Sequence, residues 1–374
     1  MFSVWEKNEY FSYDYLIFGG GLVGMLTAFY IKQKKKNAKI AILERGLMPS
    51  GASSKNAGFA CMGSITELQD DLETQHPDHV ADLFMLRKKG LERTLNLFGA
   101  SAIGYAQQGS YELIMNDEDW IPKIEQMNNW LWPYLKQAAF SLADEKLDSF
   151  GFANTKHLIQ NNLEGELDTG LLLKSCLGLM HENHIHIITG CEVLSIEENK
   201  KHVVVHCKNN ISNHPILFTT DKLCVCTNAF TKRFFPEEDI EPGRGQVLIT
   251  KPIHDLPFQG IFHFHNGYYY FRAYQHRILF GGGRHIDKKA EVSTEMEIND
   301  TILHDLKDKL HTIILPQKEV EIDYTWAGIM AFGKNKTPII KAYSKRIYLG
   351  VRMGGMGIAI GSEVAQTLAN LAID

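Results

Sequence analysis

Residues 13–45 read YDYLIFGGGLVGMLTAFYIKQKKKNAKIAILER, and the order of residue types in that stretch leaves few folds open. An apolar run at 13–18 leads into Gly19, Gly21 and Gly24, spaced as G-x-G-x-x-G. A helical stretch follows, and a second apolar run at 39–43 ends in Glu44. Strand, glycine turn, helix and strand make a β-α-β unit able to hold a dinucleotide. Gly19 permits the tight turn, Gly21 lets the main chain approach a pyrophosphate, and Gly24 lets the helix pack close to the strand. The helix N-terminus then offers free N–H groups and a partial positive charge to phosphates. Glu44 lies 20 residues beyond Gly24, where a carboxylate accepts hydrogen bonds from a ribose diol.

The rest of the chain must add to this unit. At 374 residues it exceeds one ordinary core, so two domains are expected. A net charge of −5 argues against a broad phosphate-binding surface, so nucleic acid is not an expected partner. Six cysteines (61, 176, 191, 207, 224 and 226) are scattered rather than framed, which fits reduced thiols and a cytoplasmic protein. The first residues carry Glu6 and Glu9 without an apolar core, so no signal peptide is expected, and no run is long enough to predict a transmembrane segment.

The pattern predicts helix over most of 65–99 and over 123–135, and β-rich segments from 184 to 226. Further strands are expected in GQVLIT, IFHFH, GYYYFRAY and RILFGGG, then a helix over 295–310. The last strand, IYLGV, meets a second glycine cluster and a closing helix over 362–372. The terminal pieces belong to one dinucleotide-binding domain, and the strands between them to another. The expected fold is α/β: a Rossmann-like domain from residues 1–85, 151–240 and 326–374, interleaved with an α+β domain from 86–150 and 241–325 on a mainly antiparallel sheet.

These segments together carry a family resemblance. The chain resembles FAD-dependent oxidoreductases of the D-amino acid oxidase type, which include glycine oxidase and sarcosine oxidase. The carriers are GGGLVG with Glu44 and Arg45, GASSKNAGF, GCEVLSIE, DKLCVCTNAF, RGQVLIT, GYYYFR, RILFGGGR, WAGIMAF and LGVRMGGMGIAIG. The resemblance implies FAD, with Gly19, Gly21, Gly24, Glu44 and Arg45 at its nucleotide end. It places Ser53, Ser54, Asn56, Ala57 and Gly58 in a loop around the pyrophosphate and flavin, Val193 beside the adenine, and Thr227 and Asn228 near the phosphates. Gly354, Gly355, Met356, Gly357 and Ile358 would stabilise negative charge on the flavin through main-chain amides and a helix N-terminus. No cysteine follows Cys226 and no histidine precedes His76, so the family's covalent attachment points are missing and non-covalent FAD is expected.

The implied chemistry is oxidation of a C–N bond in an amine or amino acid, by hydride transfer to flavin N5 and hydrolysis of the imine. Orientation does most of that work, so no dedicated base is demanded. WAGIMAF places Met330 where amino-acid-oxidising members carry a carboxylate-clamping arginine, which favours a plain amine or larger amino compound. Arg352 and Arg272, with Tyr269, are the candidate substrate-handling residues. Strand alternation sends Tyr268 and Tyr270 to one face and Tyr269 to the other, so only part of that run can face a site. Leu279 stands where sarcosine-type oxidases carry an oxygen-activating lysine, so oxygen or an electron carrier can be the acceptor. Two alternatives stay open: an FAD-dependent 2-hydroxy acid dehydrogenase, and a flavoprotein subunit that needs a partner. His263 and His265 read as satisfied sheet histidines, Arg244 as a turn or domain contact, and Cys61 as the thiol nearest the flavin loop.

Overall fold

The computed structural model describes residues 2–209 and 215–374; residues 1 and 210–214, inside the ranges assigned above to the dinucleotide-binding domain, lie outside the described residues. Strand Ser12–Phe18 pairs in parallel with Ile40–Leu43 on one side and Pro215–Val225 on the other. His186–Ile188 and Ile347–Val351 extend the parallel sheet, and Ile339–Ala342 closes one edge antiparallel. Every residue of Ile40–Leu43 and of Ile347–Val351 is buried. That is the pattern of parallel strands covered on both faces, and it is why these runs are continuously apolar. Cys191–Glu198 and Val203–Asn209 form an antiparallel arm on Pro215–Val225. The helix Leu22–Lys34 follows the glycine turn, and the terminal helix Gly357–Ile373 packs against it.

A second sheet of eight strands runs in the order Ile322–Phe332, Glu241–Thr250, Arg277–Gly282, Tyr269–Tyr274, Ile261–Phe264, Ser110–Ile114, His157–Asn161, Phe140–Leu142. It is antiparallel except where Ile261–Phe264 meets Ser110–Ile114. Alternation splits its two faces. Phe262, Phe264, Phe271 and Phe280 point one way into a core completed by the helix Asp300–Lys309, with Phe262 stacked on Phe271 at 4.7 Å. His263, Tyr270, Val247 and Gly245 point the other way, towards the first sheet's glycine loops.

Three segments sit differently from the sequence reading. His157–Asn161 and residues 326–332 of the strand Ile322–Phe332 fall on the second sheet, not with the dinucleotide-binding strands. The helix Pro77–Phe98, whose second half was assigned to the other domain, packs on the terminal helix; a Cβ at Gly90 would lie 2.2 Å from the Ala359 carbonyl oxygen. Periodicity shows that a segment has a buried face but not which distant segment covers it. The terminal helix also begins earlier than expected, at Gly357, directly out of the glycine cluster.

Candidate functional site

A cavity of about 590 Å³ is walled by residues of both sheets. Its first wall is main chain. Gly19 has φ +112°, and a Cβ there would lie 2.8 Å from the Cys226 carbonyl oxygen, so the turn demands glycine. A Cβ on Gly21 would meet the Ser53 side chain alone, its hydroxyl at 2.8 Å, and Gly21 borders the cavity. Glu44 is buried at the end of its strand. Its Oε2 accepts from the Gly20 N–H (3.1 Å) and its Oε1 from the Gly46 N–H (2.9 Å) and the Ser50 hydroxyl (3.0 Å). Arg45 and Val193 also line this end, with the Arg45 guanidinium 3.8 Å over the Phe230 ring.

The loop at 51–59 folds on itself. Ser53 Oγ accepts from the Leu22 N–H (2.9 Å), and Asn56 Oδ1 accepts from the Gly58 N–H (2.9 Å) and the Thr169 hydroxyl (2.8 Å). Ser53, Asn56 and Ala57 line the cavity, whereas Ser54 and Gly58 stand behind it, with Gly58 at φ +76° against the Leu167 carbonyl. Opposite, Gly354 (φ +58°) and Gly355 (φ +84°) turn the chain into the terminal helix. Its N-cap residue, Met356, makes no side-chain cap bond. The amides of that first turn are therefore free to meet negative charge.

Asn228 holds this turn in place. In a left-handed conformation (φ +50°), its Oδ1 accepts from both the Arg352 N–H (3.0 Å) and the Met353 N–H (3.2 Å). Asn228→Ala strands two donors beside the glycine cluster. It is expected to weaken cofactor retention about tenfold, for a loss of ~1.4 kcal/mol, read by titrating cofactor into stripped protein.

The second wall carries side chains: Tyr268, Tyr270, His263, Met330, Phe332, Arg284, Lys336 and Glu67. Burial holds His263 down at about 4, with Glu67 opposing, so the imidazole is neutral at neutral pH. Its Nε2 is buried without a hydrogen-bond partner among the described residues, which corrects the expectation of a satisfied sheet histidine. Burial pushes the Tyr270 phenol up to about 12. Lys336 Nζ donates to Glu67 (2.8 Å) and Asp71 (2.9 Å), and Arg87 stands 3.7 Å from Glu67. Burial alone would raise the Glu67 carboxyl, but Arg87 and Lys336 outweigh it and keep it ionised.

This arrangement has relatives. The chain matches the DAO family of FAD dependent oxidoreductases over residues 14–371. It belongs to that family. No curated protein matches the chain. Among solved structures it is similar to glycine oxidase from Geobacillus kaustophilus, with a TM-score of 0.79 and 17% identity over 97% of this chain and 95% of that one. L-amino acid deaminase from Proteus vulgaris, with its specific insertion deleted, aligns at 0.74 and 16% identity over 97% and 90%. L-proline dehydrogenase from P. horikoshii aligns at 0.72 and 18% identity over 96% and 93%.

The cavity of this FAD dependent oxidoreductase fits its cofactor on grounds of its own. Glycines border it where a side chain would intrude, a carboxylate ends the second strand, and an uncapped helix start lies at the far side. Of the residues expected around FAD, Gly24, Ser54 and Gly58 shape the walls from behind, and the others line the space.

The expected substrate-handling set is placed differently. Tyr269 points to the opposite face of its sheet, where its hydroxyl donates to Asp305 (2.6 Å). Arg272 is buried under the 51–59 loop, donating to the Leu167 carbonyl (2.8 Å) and paired with Glu166 (3.3 Å). Arg352 turns away from the glycines to Asp239, Asn335 and Thr337. None of the three lines the cavity. Arg244 is a buried strut, bonded through two nitrogens to Glu291 (2.7 and 3.0 Å). Glu67, His263, Arg284 and Lys336 were not selected from the sequence. Only Arg284 carried a local signal, at the end of RILFGGGR.

Two buried acids behind the cavity wall make stability depend on pH. Glu164 accepts from the Met62 N–H (2.5 Å), the Gly63 N–H (2.9 Å) and the Ser110 hydroxyl (2.6 Å), while Glu112 takes the Thr66 hydroxyl and N–H. Burial pushes both carboxyls up to about 7, and these hydrogen bonds only partly oppose it. The unfolded chain titrates them near 4.5, so between 4.5 and about 7 the folded state holds more protons. Their contribution is complete below pH 4.5 and is lost as the pH rises through about 7. The melting temperature is expected to fall between about pH 5 and 8, each group contributing at most ~3 kcal/mol, and Glu164→Gln to remove roughly half the fall. A wild-type Tm that stays level over that range contradicts this.

Proposed function

We propose that the protein oxidises the C–N bond of an amine or amino acid, with FAD held non-covalently as the electron acceptor. The observation that carries this reading is an uncharged stretch of the wall facing the glycine turn: His263, Tyr270 and Met330 are uncharged at neutral pH, beside the charged Arg284, Lys336 and Glu67. Such a stretch favours an unprotonated amine over an ammonium ion, and a hydride over a proton as the species transferred. Bound FAD supplies N5 of its ring as the hydride acceptor. The chain's residues orient the substrate carbon against that position and exclude water from it, and the imine released hydrolyses in solvent.

Non-covalent attachment is supported by the cavity's thiols. Burial raises Cys61 well above the usual thiol range and Cys226 up to about 12, so neither is a ready nucleophile. A cytoplasmic setting suits six buried, unpaired cysteines. The relatives named glycine oxidase, L-amino acid deaminase and L-proline dehydrogenase support a C–N substrate. The acceptor after FAD is oxygen or an electron carrier; Lys336, the cavity lysine on the substrate wall, is pinned by two carboxylates.

The test is anaerobic bleaching of the flavin absorbance across amines, amino acids and 2-hydroxy acids, followed by turnover with oxygen and with an artificial acceptor. Bleaching by C–N substrates is the expected result. Reduction by hydroxy acids alone would sink the reading. A yellow protein that no small molecule bleaches would point to a subunit that needs a partner.

A further inference from the structure

Arg284 is the feature of the cavity that this chemistry does not use. It follows the strand Arg277–Gly282 and a glycine in the left-handed conformation, Gly283 at φ +74°. It lines the cavity, half-buried, with its guanidinium 4.1 Å over the Phe332 ring. Among the described residues it has no hydrogen bond or ion pair. The other substrate-wall cation, Lys336, is neutralised by Glu67 and Asp71. The carboxylates whose charge acts on Arg284 are Glu241 and Glu291, neither forms an ion pair with it, and Glu291 is spent on Arg244. Burial lowers the guanidinium's pKa, with Tyr268, Glu241 and Glu291 opposing. A guanidinium drawn from water without a partner is an unfavourable arrangement that an incoming anion relieves.

We infer that Arg284 binds a carboxylate of the substrate, fixing it at the Phe332 end of the cavity. The position is suited to that role. Phe332 and Met330 lie two residues apart on one strand and both line the cavity, and Met330 Sδ is 3.5 Å from where a Cβ on Gly355 would stand. One two-residue step along a strand is about 7 Å. A carboxylate on Arg284 is therefore anchored one such step from the side chain abutting the glycine turn, while the rest of the substrate lies over the uncharged stretch of His263, Tyr270 and Met330. The phenyl ring 4.1 Å from the guanidinium restrains the planar fork, and that fork matches a carboxylate through two parallel hydrogen bonds. The substrate class is then an amine that also carries a carboxylate.

This inference rests on the proposed function, and its test separates the two. Acetate and benzoate are titrated into the flavin-loaded protein, reading flavin difference spectra and, independently of the flavin, heat. Arg284→Met is expected to weaken carboxylate binding about 10- to 100-fold, and Arg284→Lys by less, because it keeps the charge and loses the fork. In turnover, Arg284→Met raises the KM of a carboxylated amine such as glycine by a similar factor, with little change in kcat, and changes kcat/KM for methylamine, which carries no carboxylate, far less. Wild-type protein that binds neither carboxylate, or Arg284→Met protein that binds them equally well, overturns the inference. Heat of carboxylate binding that is lost in Arg284→Met, from a protein whose flavin no amine bleaches, would uphold the anion site while removing the proposed reaction.

Discussion

Gly24→Ala is expected to yield no folded, yellow protein, whereas Gly21→Ala is expected to fold and lose its grip on FAD. A Cβ on Gly24 would stand 1.9 Å from the backbone oxygen of Gly19 and 3.1 Å from its carbonyl carbon. No side-chain rotation can relieve that contact. The oxygen belongs to the turn itself, and the Gly19 N–H is tied to the Leu43 carbonyl at 3.0 Å, so moving it pulls on both central strands. Overpacking of ordinary cores costs ~1–3 kcal/mol, and a clash against fixed backbone at the centre of a sheet exceeds that range. Against a net stability of about 5–15 kcal/mol, this is a large fraction. At Gly21 the obstacle is the end of the Ser53 side chain, which can rotate, but the added methyl sits on a residue that borders the cavity. Cofactor affinity is expected to fall about 100-fold, or ~2.7 kcal/mol. Circular dichroism melting reads the first variant, and the flavin-to-protein absorbance ratio after gel filtration reads the second. A yellow Gly24→Ala protein with a wild-type melting temperature would disprove the packing role of that glycine.

Arg352→Leu is expected to destabilise the fold by about 1–3 kcal/mol, the range for leaving buried hydrogen-bond acceptors unmade, because the Asp239 carboxylate it pairs with is 41% exposed and stays solvated. The Arg352 side chain is 7% exposed and makes five hydrogen bonds. Nη1 donates to Asp239 Oδ2 (2.5 Å) and to the Asp239 carbonyl (3.0 Å). Nη2 donates to Asn335 Oδ1 (2.8 Å) and to the Thr337 carbonyl (2.6 Å), which Nε also reaches (3.0 Å). Leucine fills the volume and strands every acceptor. Arg352→Lys is expected to recover little, because one ammonium cannot span partners arranged around a planar fork. For a chain of this length the melting temperature should drop by ~3 °C. The decisive contrast is kinetic: whatever protein folds should keep its substrate KM, since the guanidinium faces away from the cavity. A large rise in KM with unchanged stability would restore Arg352 as a substrate ligand.

Much of the cofactor side was legible because glycine requirements are local. Gly19, Gly21 and Gly24 could be read from spacing, and Gly354 and Gly355 from their place before the last helix. Alternation also separated Tyr269 from Tyr268 and Tyr270, and the fold places Tyr268 and Tyr270 on the cavity. The substrate side was legible only in part. Arg352 and Arg272 sit beside the right motifs, but a long side chain turns towards whichever acceptors are unsatisfied, and here those are carbonyls of distant loops. The Lys336–Glu67 contact joins residues 269 apart, and nothing local marks either as a cavity residue.

The amino-acid order alone determined the β-α-β cradle, the two-sheet plan and the second glycine turn, because backbone freedom and apolar periodicity are properties of neighbouring residues. Only the tertiary structure decided which charged groups reach the cavity. Arg284 reaches it unpartnered, Lys336 reaches it neutralised by two carboxylates, and Arg272 and Arg352 are spent on the frame. Those outcomes depend on which carbonyls and carboxylates remain unsatisfied once the sheets have paired, and pairing across hundreds of residues is not written into any one segment.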